Sequence, residues 1–260
     1  MADVLITTEQ VKELRDATGI SVMQCRKALV EAGGDMGKAL LILKKTSAEI
    51  ALKKKDREVK DGAVAVKAEA KKAVLVALHC ETDFVSRNQD FVNLLEVLAD
   101  KALKEGIDKM RDASKEMIDA VIQKTGENIT LGEAFLVEGE TLGSYVHGNK
   151  AGVIVSLSGG NQDVAKDVAM HVAAMKPEYM NESEISEEAK TGMKEVFEKE
   201  VAAVEKPEEI KKKMLEGKLA AYFKEKTLLE QPFIKNPEDT VGQLLEKNGG
   251  KIKEVKRYVI

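Results

Sequence analysis

The sequence predicts an α+β protein built from several modules. Its 260 residues exceed what one compact core usually needs. The N-terminal stretch repeats short apolar helical patterns between capping residues. Further along, paired strand-like runs are each followed by a helical pattern, and a Glu/Lys-rich stretch after Lys176-Pro177 reads as two amphipathic helices.

The elements follow in order. Thr7 with Gln10 forms a capping box before Val11 and Leu14, and Gly19 ends that helix. Ser21 with Gln24 opens a second helix bearing Cys25, Ala28, Leu29 and Ala32, closed by Gly33 and Gly34. Asp35 caps a third through Ala39, Leu40 and Leu43. Each is too short to persist alone, so the three must share a core. The charged segment KKTSAEIALKKKDREVKDG is a connecting helix or linker.

AVAVKAE and KKAVLVALHC read as strands joined near Glu69 to Lys72. Ser86 with Gln89 forms another capping box, before Phe91, Leu94, Leu95, Leu98 and Ala102 at helical spacing. A further helix carries Met117, Ile118, Val121 and Ile122 and stops at Gly126. LGSYVH and GVIVSLS then pair around GNKA, ahead of a helix with Val164, Val168, Val172 and Met175. The two helices begin Asn88-Gln89-Asp90 and Asn161-Gln162-Asp163, which suggests an internal duplication. In the Glu/Lys-rich stretch, Ile185, Ala189, Met193, Val196 and Phe197 form one stripe. Pro207 starts the second helix, with Ile210, Met214, Tyr222 and Phe223. QPFIKNP is extended, Thr240 caps a helix through Leu245, and IKEVKRYVI reads as a closing strand.

Composition excludes several classes. Lys plus Arg total 41 against 45 Asp plus Glu, with 4% aromatics and no Trp, so neither a broad basic footprint nor a base-stacking platform is expected. The two cysteines, Cys25 and Cys80, suit a reducing cytosol. No apolar run could span a bilayer and MADVLITTEQ carries no leader pattern, so a soluble cytoplasmic protein is expected.

Catalytic and ligand motifs are weak. AGGDMGKA has Ala32 and Ala39 where a phosphate loop needs Gly and Ser or Thr. His171 and Met175 sit one turn apart, a spacing met far more often in a core than at a metal. His79, Cys80, Glu81 and Asp83 have ligand chemistry, but a strand alternates their faces. No catalytic residue, metal site or cofactor is expected. The stretch HCETDFVSRNQDF is different in kind, because it places Phe84 beside Asp83 in a polar strand-to-helix connection. Either these two cap and staple the helix, or the ring is exposed for a partner.

TDFVSRN, residues 82–88, resembles the TDFVA-K-N signature of the elongation factor Ts family, exchange factors for the GTPase elongation factor Tu. VKELRDATGISVMQCRKAL, TGENITL, LGSYVHG, MHVAAMKPEY, QPFI and TVGQLL resemble further motifs of that family in its order, over nearly the whole chain. Arg26 stands where Lys is usual, Ser86-Arg87 replaces Ala-Lys, and Thr125 replaces Ile. Many members continue into a C-terminal helical module past the position of Ile260.

The resemblance implies a ubiquitin-associated-like three-helix module with linker at 1–55 and a core subdomain at 56–139. A second core subdomain would comprise 140–180 and 227–260, and a coiled-coil hairpin insertion 181–226. It implies that Asp83 and Phe84, flanked by Thr82 and Val85, enter the nucleotide domain of elongation factor Tu near its magnesium. Val22, Met23 and Arg26 would grip that domain. Thr125, Gly126 and His147 would support the disturbance on the phosphate side, and Ile234 would lie near later contacts. Direct nucleic-acid and membrane contacts are not expected. The hairpin stripe is left with three occupants: the body of the protein, a partner, or a second copy. The competing class is an adaptor in which Val22 and Met23 bind proteins and Phe84 is dispensable.

Overall fold

Capping chemistry shapes the start of the structure, a computed structural model that describes residues 6–260; the leader reading of MADVL lies outside the described residues. The Thr7 hydroxyl accepts from the Gln10 N–H at 3.2 Å and the Gln10 side chain returns to the Thr7 N–H at 3.1 Å, opening α1 (Thr8–Thr18) with the expected box. α2 (Val22–Glu31) opens with only half of one. Ser21 accepts from the Gln24 N–H, but its hydroxyl proton engages the Gln24 side chain, which therefore does not return to the backbone. Asp35 caps α3 (Met36–Lys54), and this helix absorbs most of the segment that the sequence leaves as helix or linker. Leu14, Cys25, Leu29, Ala39 and Leu43 form the core shared by the three helices.

β1 (Asp61–Glu69) and β2 (Lys72–Cys80) pair antiparallel, from Asp61 opposite Cys80 to Glu69 opposite Lys72. A one-turn helix, α4 (Asp83–Ser86), precedes α5 (Gln89–Glu105). The expected Ser86–Gln89 capping box is not formed. Ser86 is inside α4, its hydroxyl donating to the Asp83 carbonyl, and Asn88 caps α5 by accepting from the Asp90 N–H. α6 (Ile107–Thr125) follows and ends at Gly126, where φ is 78°, and α3 packs along it. β3 (Ile129–Glu138) completes a sheet in the order β1-β2-β3. This strand was not expected, because Gly132, Glu133 and Ala134 break its apolar alternation. Val74, Val76 and Leu78 of β2 meet Phe91, Leu94, Leu95 and Leu98 of α5 in the main core.

These elements through Leu136, with Val146–Gly152 and Tyr258–Ile260, make one compact unit; Val137–Tyr145 and Val153–Arg257 make the other. The second unit rests on β4 (Thr141–His147) and β5 (Ala151–Gly159), with α7 (Gln162–Met175) capped by Asn161. Then come α8 (Glu187–Ala202), α9 (Glu208–Lys226), β6 (Pro232–Phe233), β7 (Asn236–Thr240), α10 (Val241–Lys247) and β8 (Gly250–Val259), the last giving a sheet ordered β4-β5-β8. The architecture is α+β. In the hairpin, α8 packs on α9 with Phe197 edge-on to Tyr222 at 5.8 Å, while Ile185 is buried and Val196 and Ile210 remain exposed.

Two contacts fix α7. A Cβ on Gly143 of β4 would lie 2.1 Å from the Ala165 carbonyl carbon, so this strand and helix approach as only glycine permits. His171 is fully buried, its Nδ1 accepting from the Ile234 N–H at 3.2 Å. The ring proton therefore sits on Nε2 and is donated to Gln231 Oε1 at 2.8 Å. With both nitrogens engaged inside the protein, His171 is a core histidine, and burial pushes its pKa below the ordinary 6.5.

Gly143→Ala is expected to destabilise the chain by roughly 1–3 kcal/mol through overpacking; an unchanged urea midpoint would refute the close approach. For His171 the folded pKa lies below the unfolded one, so the unfolded chain binds the proton first. Its contribution is whole above the unfolded value near 6.5 and is lost as pH falls below it. Unfolding midpoints should thus fall more for the native chain than for His171→Gln between about pH 7.5 and about pH 5.5, and parallel pH curves would contradict this.

Candidate functional site

Four residues cannot hold a helical turn unaided, so the geometry of α4 comes from its attachments. Val85 is buried in the main core. Thr82, the extended residue before the turn, makes no side-chain cap bond. Its hydroxyl instead donates to Glu127 Oε1 at 2.6 Å and its N–H to Glu127 Oε2 at 3.0 Å. The Thr82 carbonyl accepts from the Cys80 thiol at 3.2 Å. On this fixed turn Phe84 is 84% exposed. The ring therefore staples nothing, so the stapling reading of HCETDFVSRNQDF fails for Phe84 and its side chain stands in the open. Asp83 pairs with Arg87 at 3.2 Å on the surface, a contact worth about 0–1 kcal/mol.

The ligand-like residues around it do not converge. His79 Nε2 shares a hydrogen bond with the Tyr258 hydroxyl at 2.9 Å, and burial lowers the His79 pKa. Burial pushes the Cys80 thiol up to about 12, with the Asp61 and Glu127 charges adding to the shift, so it is protonated and a poor nucleophile. Glu81 accepts from the Asn128 N–H at 2.6 Å and meets Arg57 at 3.4 Å. Among the described residues no group of three or more His, Cys, Asp and Glu could hold a metal, and no helix is long and apolar enough to cross a membrane.

Two other segments are tied to the turn. Thr125 and exposed Gly126 end α6, with the Thr125 hydroxyl on the Val121 carbonyl at 2.9 Å and the Lys54 ammonium on the Gly126 carbonyl. Glu127, the next residue, grips Thr82, so this loop and α4 share one carboxylate. Exposed His147 ends β4. In the connection that follows, the Lys150 ammonium reaches Asp61 Oδ1 and the Gly62 carbonyl, both at 2.6 Å, and the Ser86 hydroxyl at 3.5 Å. Burial opposes ionisation of Asp61, but Lys150 and Ser86 hold its pKa below the usual value. Sequence reasoning missed Glu127 and Lys150 as anchors. Both stand inside or beside quoted motifs, but nothing in a linear motif shows that a side chain turns inward.

The remaining candidates stand elsewhere. Val22, Met23 and Arg26 are exposed on α2, Met23 at 82%. Ile234 lies in the second unit, its side chain exposed and its N–H held by His171.

A family profile described as Elongation factor TS matches residues 81–260. The elongation factor Ts of Pseudomonas aeruginosa (strain LESB58) is 40% identical over 264 residues, covering 98% of this chain and 91% of that protein. That of Pseudomonas fluorescens (strain Pf0-1) is 41% identical over 257 residues, with 95% and 88% covered. That of Hahella chejuensis (strain KCTC 2396) is 38% identical over 262 residues, with 98% and 92% covered. The exposed aromatic, its braced turn and the profile match occupy the same stretch of chain, and the chain belongs to the elongation factor Ts family.

Proposed function

We propose that this chain is a guanine nucleotide exchange factor of translation elongation, binding elongation factor Tu with GDP and accelerating GDP release so that GTP can bind. The observation that carries this reading is Phe84, 84% exposed on a turn whose opposite side is locked into the core. Burying such a ring in a partner is worth roughly 1.5–3 kcal/mol, enough to help hold open a gap between partner helices. Asp83, freed from a weak surface pair, disturbs the polar network around the partner's magnesium without ligating it.

Exchange makes and breaks no bond, so the chain needs no catalytic chemistry of its own. The factor must bind the nucleotide-free partner more tightly than the loaded one, and GDP and the factor must weaken each other's binding equally. Each tenfold weakening takes about 1.4 kcal/mol, so the wedge does not act alone. Val22, Met23 and Arg26 supply grip, Thr125, Gly126 and His147 act toward the phosphates, and Ile234 adds a contact from the second unit. Arg26 keeps a positive charge but offers a planar fork in place of an ammonium. A cytoplasmic location follows from this role.

Stopped-flow release of fluorescent GDP from elongation factor Tu, chased by excess GDP, tests the proposal. Acceleration by the chain, lost at least tenfold in Phe84→Ala (about 1.4 kcal/mol), is the expected result. No acceleration at micromolar chain would remove the exchange reading and favour an adaptor acting through Val22 and Met23.

A further inference from the structure

We propose that Glu127 is the positioning residue of the exchange wedge: its carboxylate, by holding both donors of Thr82, sets the direction in which Asp83 and Phe84 leave the surface. The proposal rests on the exchange reading. Its structural part stands by itself.

Different contacts fix the two ends of α4. The far end is secured by Val85 in the core and by Lys150 reaching Ser86. The near end begins at Thr82, whose extended φ and ψ of -134° and 161° determine where the following Asp83 and Phe84 project. A threonine in that position ordinarily turns its hydroxyl onto the helix it starts. Here both the hydroxyl and the N–H turn away, to the two oxygens of one carboxylate, at 2.6 and 3.0 Å. The neighbouring rung runs the opposite way, since Glu81 accepts from the Asn128 N–H at 2.6 Å. Residues 81–82 and 127–128 are thus joined by three charge-assisted bonds from two crossed carboxylates, two of them short at 2.6 Å.

A carboxylate on a side chain of this length accepts from both Thr82 donors at once. A glutamine in place of Glu127 would keep one acceptor oxygen for the Thr82 N–H but reverse the hydroxyl bond, its amide donating to the Thr82 oxygen, and both bonds would lose their charge assistance. An aspartate there would fall one methylene short. Glu127 also directly follows Gly126, so the same group couples the orientation of the wedge to the loop carrying Thr125 and Gly126. A wedge that is misdirected by about an ångström loses about a hundredfold in a geometry-dependent step. Loss of the brace should therefore reduce the rate at saturation more than it reduces affinity, because the other contacts still bind.

The test uses the full chain with Glu127→Ala and Glu127→Gln, each alone and combined with Phe84→Ala. GDP release is followed over a range of chain concentrations, and amide hydrogen exchange of residues 82–87 is followed in the free chain. The expected result is a maximal release rate at least tenfold lower, a half-saturating concentration changed less, and faster amide exchange confined to the turn. No further loss should occur in the Phe84→Ala background. Glu127→Gln should fall between native and Glu127→Ala, and it carries the test if the alanine variant does not fold. A lower rate with unchanged amide exchange, or an equal loss in the Phe84→Ala background, would mark Glu127 as a direct contact and overturn the proposal. An unchanged maximal rate would overturn it too. If the native chain itself fails to accelerate release, the exchange reading falls, while the amide exchange still decides whether Glu127 braces the turn.

Discussion

The packing of β2 against α5 is the contact on which the candidate site depends. Val74, Val76 and Leu78 alternate along one face of the strand and meet Phe91, Leu94, Leu95 and Leu98 on the helix. Full burial of side chains of this size contributes roughly 1.5–3 kcal/mol each. That contact fixes the end of β2 and the start of α5, leaving the residues between them to span a set gap. Within the span Val85 points into the core and Phe84, its neighbour, points out. A rigid strand-helix pair therefore turns a short connection into a defined projection.

The polar contacts around the turn divide the work. Glu127, Glu81 and Lys150 all act on the protein side of α4, through backbone donors, carbonyls and partly buried charges. On the outward side Asp83 has Arg87, a surface pair of little worth. Asp83 is thus held only weakly, while the groups that hold the turn's shape are bonded on its other side. Ordering costs are met during folding, which leaves more of the interface free energy for binding.

Much of this was legible in the sequence, for physical reasons that differ by element. α5 and α7 were readable because one face of each is continuously apolar and the two share an Asn-Gln-Asp start. The exposure of Phe84 was readable as a conflict, a large ring in a polar connection. β3 was not, since Gly132 must leave room beside the His79 ring and the strand is held by pairing more than by its own apolar pattern. The Ser86–Gln89 box failed because Ser86 found an acceptor within its own turn at the Asp83 carbonyl. The Glu127 brace spans 45 residues of chain, and no local spacing reports such a bond.

Why a carboxylate should sit behind this turn follows from the same constraint. The turn presents an apolar ring and an acid together on the surface, and the protein gives the ring no apolar cover and the acid only a weak pair. The ring exposes apolar surface, and the acid has only a flexible partner. Exposed apolar surface favours any rearrangement that covers the ring. A neutral hydrogen bond gains little over water in resisting this, whereas two bonds to one partly buried carboxylate are stronger and fix an angle as well as a distance. The atoms of the brace face the protein. Its stabilisation is present in the free chain, so the direction of the turn is set by folding and not by a later contact.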